Sequence, residues 1–442
     1  MRLPGRWVPT GNGPFVRLWF GQTVSQIGSQ VSLIAIPLLA VLSLGATPVE
    51  MGVLTAAETA PYLLVSLPAG VVADRVDRRV MMILCDLGRA LGLLVIPVFW
   101  AAGLLSLPLL AVTAFVIGSL SVAFDIAAQT YLPEIVPPDY LVPANQQLEL
   151  ATSGAQVAGP GIAGILFGLV GGAMAVVIDA LSYLVSAISL MRFRRPGRTA
   201  ERAERRPAAA HRPVRVNLRS ELLDGPRLLL RDPILRELAA STAAFNLASS
   251  MILATFVLFA TRELGVGPSA YGLVFALGNV GFVIGAAASG WTARRGLGRA
   301  MLIGAAGSTV AALIIPLAIG PFAFLVLVAG RFLGALANPV YNVSLVALVQ
   351  SRTDRDTLGR INGTFRLADW GVVPVGALLG GVLGETIGLR PTLFVAAGLA
   401  TLRLVLLLKS RLGRIDETMA AARAEAPASD TRALVPDDIG VV

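Results

Sequence analysis

Twelve stretches of this chain are apolar over the roughly 20 residues that a bilayer-spanning helix requires. Their approximate limits are 15–43, 48–72, 80–103, 107–131, 142–170 and 173–192, then 236–262, 268–292, 300–319, 322–349, 362–386 and 391–409. The pattern predicts an all-α membrane protein of twelve transmembrane helices in two sets of six. Pro and Gly fall inside several runs, which is ordinary where neighbouring helices re-satisfy the freed backbone groups. The first apolar segment, Phe15–Leu44, far exceeds a signal-peptide core of roughly 7–15 residues, so it is expected to be a retained first span.

Composition supports this class. Of the 442 residues 55% are hydrophobic and only 14% charged, with a mean hydropathy of +0.75; soluble domains carry about 25% charged residues. A net charge of +9 would suit nucleic acid in a soluble chain. Here the arginines gather between apolar runs, so they are assigned to membrane topology and no nucleic-acid partner is expected. Arg75, Arg78 and Arg79, the long Arg192–Arg231 stretch, Arg294, Arg295 and Arg299, and Arg352, Arg355 and Arg360 all occupy even-numbered connections, of which only the one near 132–141 holds no basic residue. The opposite connections hold only Arg262 and Arg390. The positive-inside rule therefore predicts that both termini are cytoplasmic. The expected organisation is a cytoplasmic tail over 1–14, a six-helix bundle over 15–193, a basic linker over 194–234, a second bundle over 235–410 and a cytoplasmic tail over 411–442.

The halves are related. Adding 220 to Pro48, Gly52, Gly70, Ala73, Arg75 and Arg79 lands on Pro268, Gly272, Gly290, Ala293, Arg295 and Arg299. Adding 216 to Gly118, Gly164, Gly168 and Gly172 lands on Gly334, Gly380, Gly384 and Gly388. Duplicated halves suggest a transporter with its site between them near the bilayer midplane. Cys85 and His211 are the single cysteine and histidine, so no intrachain disulfide and no Cys/His metal cluster is expected. Neither a metal nor a cofactor is expected. No nucleophile constellation points to an enzyme, and no G-x-x-x-x-G-K-[ST] loop points to ATP.

Gly70-Val-Val-Ala-Asp74-Arg75-Val-Asp77-Arg78-Arg79, between the second and third spans, resembles the signature loop of the major facilitator superfamily, with Asp77 in place of the second glycine. Phe124-Asp125, Leu132-Pro133-Glu134-Ile-Val-Pro137, Ala144-Asn145, Gly159-Pro160-x-x-x-Gly164 and Gly359-Arg360-Ile-Asn-Gly363 are similar to its bacterial drug, macrolide and siderophore exporters. The resemblance covers about residues 15–410. It implies two pseudo-symmetric six-helix bundles and a charge relay of Asp74, Arg75, Arg78 and Asp125 that latches the outward-facing state, with Gly70 letting two helices approach closely. The alternative is that the arginines only set topology. Gly159, Pro160 and Gly164 resemble the antiporter motif of facilitator exporters, with Ala163 replacing one glycine.

Polar positions inside the spans mark a candidate cavity. Asn145, Glu149, Thr152 and Gln156 form one stripe of the fifth span, beside a small-residue stripe of Ala155, Gly159 and Ala163 expected to face the other half. Gln22, Gln26 and Ser29 share a face of the first span; Thr242, Asn246 and Ser249 do so on the seventh, and Asn338 and Asn342 on the tenth. Uncharged polar groups suit a wet cavity tolerant of varied ligands, and interhelical hydrogen bonding is the competing role.

Embedded acids are scarce because a charge at the bilayer centre costs roughly 2.5–3.5 kcal/mol on insertion scales. A carboxyl group held there is suited to taking up and releasing protons. Glu149 is the first candidate and Glu58 the second, since neither has a partner on its own helix. Asp369 and Asp86 have Arg366 and Arg89 three residues away, and Asp179 leads a serine stripe, Ser182, Ser186 and Ser189, that favours a structural role. The expectation is a monomeric secondary transporter in a bacterial cytoplasmic membrane, exchanging protons for small amphiphilic molecules such as antibiotics. Export of an endogenous siderophore, metabolite or lysolipid is an alternative, as is facilitated import.

Overall fold

A computed structural model describes Val8 and residues 13–192, 226–353 and 355–410; the linker and tail readings fall largely outside these residues. The first half comprises α1 (Gly13–Leu42), α2 (Pro48–Leu64), α3 (Ser66–Arg75), α4 (Arg78–Ala101), α5 (Leu107–Ile135), α6 (Leu141–Val170) and α7 (Gly172–Met191). The second comprises α8 (Pro233–Leu258), α9 (Pro268–Arg294), α10 (Leu297–Ile314), α11 (Ala323–Arg352), α12 (Arg355–Trp370), α13 (Val373–Thr386) and α14 (Leu389–Lys409). Among the described residues eleven helices are long and apolar enough to cross a membrane, and the α2–α3 pair, bent by 48°, makes the twelfth. The spans match the hydrophobic pattern, six to each half.

The breaks in the second and eleventh spans have one cause. A proline inside a helix lacks a donor and its ring clashes with the carbonyl four residues earlier. Pro68 stands four residues after Leu64, the last residue of α2, and Pro374 four after Trp370, the last residue of α12. Three helix starts among the described residues are capped by side chains. Thr47 and Glu50 form a reciprocal capping box at the start of α2. Asp77 accepts from the backbone N–H of Arg79 and Val80 at the start of α4. The aspartate that departs from the signature loop thus serves as an N-cap. Asp232 caps α8 in the same way and pairs with Arg352 of α11 at 3.3 Å.

The halves meet through two symmetric helix pairs at the end remote from the arginine-rich loops. In one, α6 packs on α9; in the other, α2 packs on α13. Glycine makes both possible. A Cβ placed on Gly164 would lie 2.8 Å from the carbonyl oxygen of Pro268 and 2.9 Å from Cα of Gly272. A Cβ on Gly381 would lie 2.7 Å from the carbonyl oxygen of Pro48 and 3.1 Å from Cα of Gly52. In the second pair it is Gly381 that meets the second span, whereas Gly380 packs on Met251. Lower down, Tyr62 stacks on Trp370 with ring centroids 4.3 Å apart.

In the first half a buried cation is neutralised on its own helix. Asp86 and Arg89 form a buried ion pair one helical turn apart, and Arg89 lies between the rings of Phe124 and Tyr183, 4.4 and 4.1 Å from their centroids. Tyr183 in turn hydrogen-bonds Ser29 at 2.8 Å. In the second half Arg403 stacks on Tyr341 at 3.3 Å and on Phe245 at 4.2 Å. The two arginines of the opposite connections are of different kinds: Arg390 donates to the Pro316 carbonyl at 2.6 Å and pairs with Glu263 at 3.5 Å, whereas Arg262 is exposed.

Candidate functional site

Among the described residues, polar-lined cavities open inside the bundle, one in each half. The larger, about 600 Å³, is lined by Gln22 and Gln26 of α1, Asp125 and Gln129 of α5, and Asn145, Gln146, Glu149 and Thr152 of α6. It reaches the arginine-loop end, because its lining also includes Leu132 and Val142, which flank the turn between α5 and α6. The second, about 360 Å³, belongs mainly to the other half: Asn246, Ser249 and four phenylalanines from α8 and α9 line it with Asn279, Arg331 and Asn338. Gln156 of α6 forms part of its wall, and its backbone carbonyl accepts from Asn279 at 2.7 Å.

The polar stripe of the fifth span is therefore shared. Asn145, Glu149 and Thr152 face the first cavity and Gln156 the second. Asn246 and Asn338 line the second cavity, whereas Asn342 is tied back to Asn338 at 2.8 Å and is not in the wall. Ser29 turns toward its own half, donating to the Ser25 carbonyl at 2.8 Å and meeting Tyr183.

The embedded acids separate by surroundings. Asp179 is 1% exposed and accepts hydrogen bonds from Ser32 and, at 3.1 Å, from Ser182. Asp369 accepts from Asn246. Glu58, Asp125 and Glu149 have no hydrogen-bond or ion-pair partner among the described residues, and of these Asp125 and Glu149 share one cavity. A carboxylate without a fixed partner can change protonation without dismantling the fold; one built into a serine or asparagine cluster cannot do so as freely.

The loop charges lie apart in this conformation. Arg78 bonds to Glu134 of α5, and Arg79 to the Leu190 and Met191 carbonyls, both at 2.9 Å. Asp74 and Arg75 are exposed, and Asp125 opens onto the cavity. Gly70 does not mediate a close approach here, since a Cβ added to it meets nothing within 4 Å.

The fifth-span motif faces two ways. A Cβ on Gly159 would strike Gln30 of α1, within the same half. The residues directed at the other half include Gln156, Pro160, Gly161, Gly164 and Gly168, whereas Gly159 of the small-residue stripe packs on α1. Two features escaped the sequence pattern: Arg331, lost inside an apolar run, and Asn279, an isolated amide in the eighth span. The four-residue spacing of Gln156, Pro160, Gly164 and Gly168 could have revealed the contact stripe.

The family model of transmembrane secretion effectors matches residues 4–442. The chain belongs to this family. It is an MFS-type membrane transporter and not an enzyme. It is 27% identical over 425 residues to the multidrug efflux pump Tap of Mycolicibacterium fortuitum, covering 92% of this chain and 98% of the relative. It is 28% identical over 391 residues to the MFS-type transporter y4rN of Sinorhizobium fredii, covering 87% and 91%. Among solved structures, the nucleoside transporter NupG superposes with a TM-score of 0.72 at 12% identity, covering 90% and 100% of the two chains. A bacterial homologue of ferroportin in an inward-facing state gives 0.69 at 16% identity, covering 90% and 98%. At these identities the two structures establish the fold of this transporter alone.

Proposed function

We propose that this transporter is a proton-coupled exporter of small amphiphilic molecules, such as antibiotics, across a bacterial cytoplasmic membrane. The arginine-rich loops and both termini lie on the cytoplasmic side. The observation that carries the reading is the shared placement of Asp125 and Glu149, two carboxylates without ion-pair partners, in a cavity walled by uncharged amides. The likeness to the Tap efflux pump supports the direction of transport.

Either acid releases its proton when the cavity faces the cytoplasm and accepts one when it faces outside, so substrate leaves as protons enter. Closure of α6 on α9 and of α2 on α13 seals the outer side in the conformation described. In the opposite state Arg78 leaves Glu134 and joins Asp74 and Asp125 as an inner latch, with Arg75 beside them. The test is dye accumulation in pump-deficient cells expressing wild type, Asp125→Asn or Glu149→Gln, with and without a protonophore. Wild-type cells should hold less dye, and the protonophore or the decisive variant should abolish the difference.

A further inference from the structure

Arg331 stands apart from the other buried arginines. Arg89 has Asp86, and Arg403, clamped between two rings, one of them the cavity-lining Phe245, is not itself in the wall of either cavity. Arg331 lines the second-half cavity, and among the described residues no carboxylate is within ion-pair distance of it. Its Nε is buried without a hydrogen-bond partner, as are those of Arg89 and Arg403, so what distinguishes it is its place in a cavity wall with no carboxylate beside it. Its guanidinium carbon lies 4.3 Å from the centroid of the Phe275 ring, a contact that orients the cation but does not neutralise it. The side chain is held in place because α9 runs close against α11: a Cβ on Gly278 would lie 2.6 Å from Cβ of Arg331.

An uncompensated cation at membrane depth is costly and calls for a countercharge. The cavity offers the rest of a binding site. Asn246, Asn279 and Asn338 supply amide groups, and Phe245, Phe256 and Phe282 supply apolar walls. About 360 Å³ lies within the range of roughly 300–1,000 Å³ typical of small-molecule sites. From this geometry we propose that the second-half cavity is a subsite for amphiphilic organic anions, with Arg331 binding a carboxylate, sulfonate or phosphate group and the phenylalanines holding the apolar body. This deepens, and rests on, the exporter reading above. Proton carriers and substrate anion then occupy separate halves, the acids in the first and the arginine in the second.

The experiment compares charged and uncharged ligands of one body, by equilibrium dialysis against the full-length protein in lipid nanodiscs with empty discs subtracted. One pair is 8-anilinonaphthalene-1-sulfonate and N-phenyl-1-naphthylamine; the other is decanoate and decanol. Wild type should bind the anion of a pair about tenfold more tightly, the scale of a charge-assisted hydrogen bond. Arg331→Gln should erase the preference and Arg331→Lys should retain it. Ala335→Asp, which sets a carboxylate one turn from the guanidinium in the same cavity wall, should also erase it; this variant decides if Arg331→Gln fails to fold. A preference confined to the naphthalene pair identifies a soluble aromatic anion as ligand, and one confined to the decyl pair a membrane-derived acyl anion. No preference in wild type for either pair, or a preference that survives both Arg331→Gln and Ala335→Asp, overturns the proposal. Protonophore-sensitive efflux of an uncharged dye is read separately in cells. Its absence alongside an intact anion preference counts against proton coupling only, and its presence without the preference counts against the subsite only.

Discussion

Gly164 and Gly272 face each other across the boundary between the two halves so closely that a methyl group on either would intrude on the other's backbone. A Cβ on Gly272 would lie 2.8 Å from Cα of Gly164. No flexible side chain at this point can yield, so the contact is sensitive to a single methyl group.

Gly164→Leu should therefore part the halves on the side remote from the arginine loops. In a Cys85→Ser background, Ala276→Cys reports on this seam, since Ala276 packs against Gly161 across it. A membrane-impermeant thiol reagent added outside cells should label Ala276→Cys several-fold faster when Gly164→Leu is present. Transport should fall while insertion is retained. Gly159→Leu, which strikes α1 instead, should leave the labelling rate unchanged.

The Asp86–Arg89 pair is structural. Removing one member of a buried ion pair costs about 3–5 kcal/mol, because the other charge is left uncompensated. Asp86→Asn should lower the melting temperature of detergent-solubilised protein markedly, and Asp86→Leu combined with Arg89→Met should recover part of that loss. Equal melting temperatures for wild type and Asp86→Asn would show that Arg89 is neutralised elsewhere.

Arg78 is expected to exchange partners between conformations. Glu134→Gln removes the partner it has here, and should favour the outward-open state. Faster external labelling of Ala276→Cys is the sign to look for. The pair is partly exposed, so fold stability should change by no more than about 1 kcal/mol.

Among the acids, coupling and folding roles should divide by surroundings. Glu149→Gln or Asp125→Asn should preserve substrate exchange at equilibrium yet stop uphill efflux. Asp179→Asn, which disturbs the contacts to Ser32 and Ser182, should reduce stability while leaving the proton-to-substrate ratio unchanged. Flux measurements in proteoliposomes with and without an imposed proton gradient separate these outcomes.

Much of the architecture was legible in the sequence because a bilayer imposes a length and a hydropathy on every span. The paired arginine loops and the glycine repeat revealed the duplication. Side-chain direction was harder to read. Gly164 of α6 meets α9 whereas Gly159 packs on α1, so both neighbours require small residues on the same helix. Ser29 looked like a cavity residue from its spacing with Gln22 and Gln26, but its hydroxyl is held by Tyr183 of its own half. Arg331 was hidden for the opposite reason: one charge scarcely alters the hydropathy of a long run, and only packing shows whether it has a partner.

The central claim, proton-driven export, is tested most directly in proteoliposomes carrying a fluorescent amphiphile and the protein in known orientation. An inward proton gradient, imposed from the face opposite the arginine loops, should drive the dye out through that face, with proton movement in the opposite direction. Asp125→Asn or Glu149→Gln should abolish the coupled component. Dye moving in the same direction as the protons would contradict the account and establish an importer.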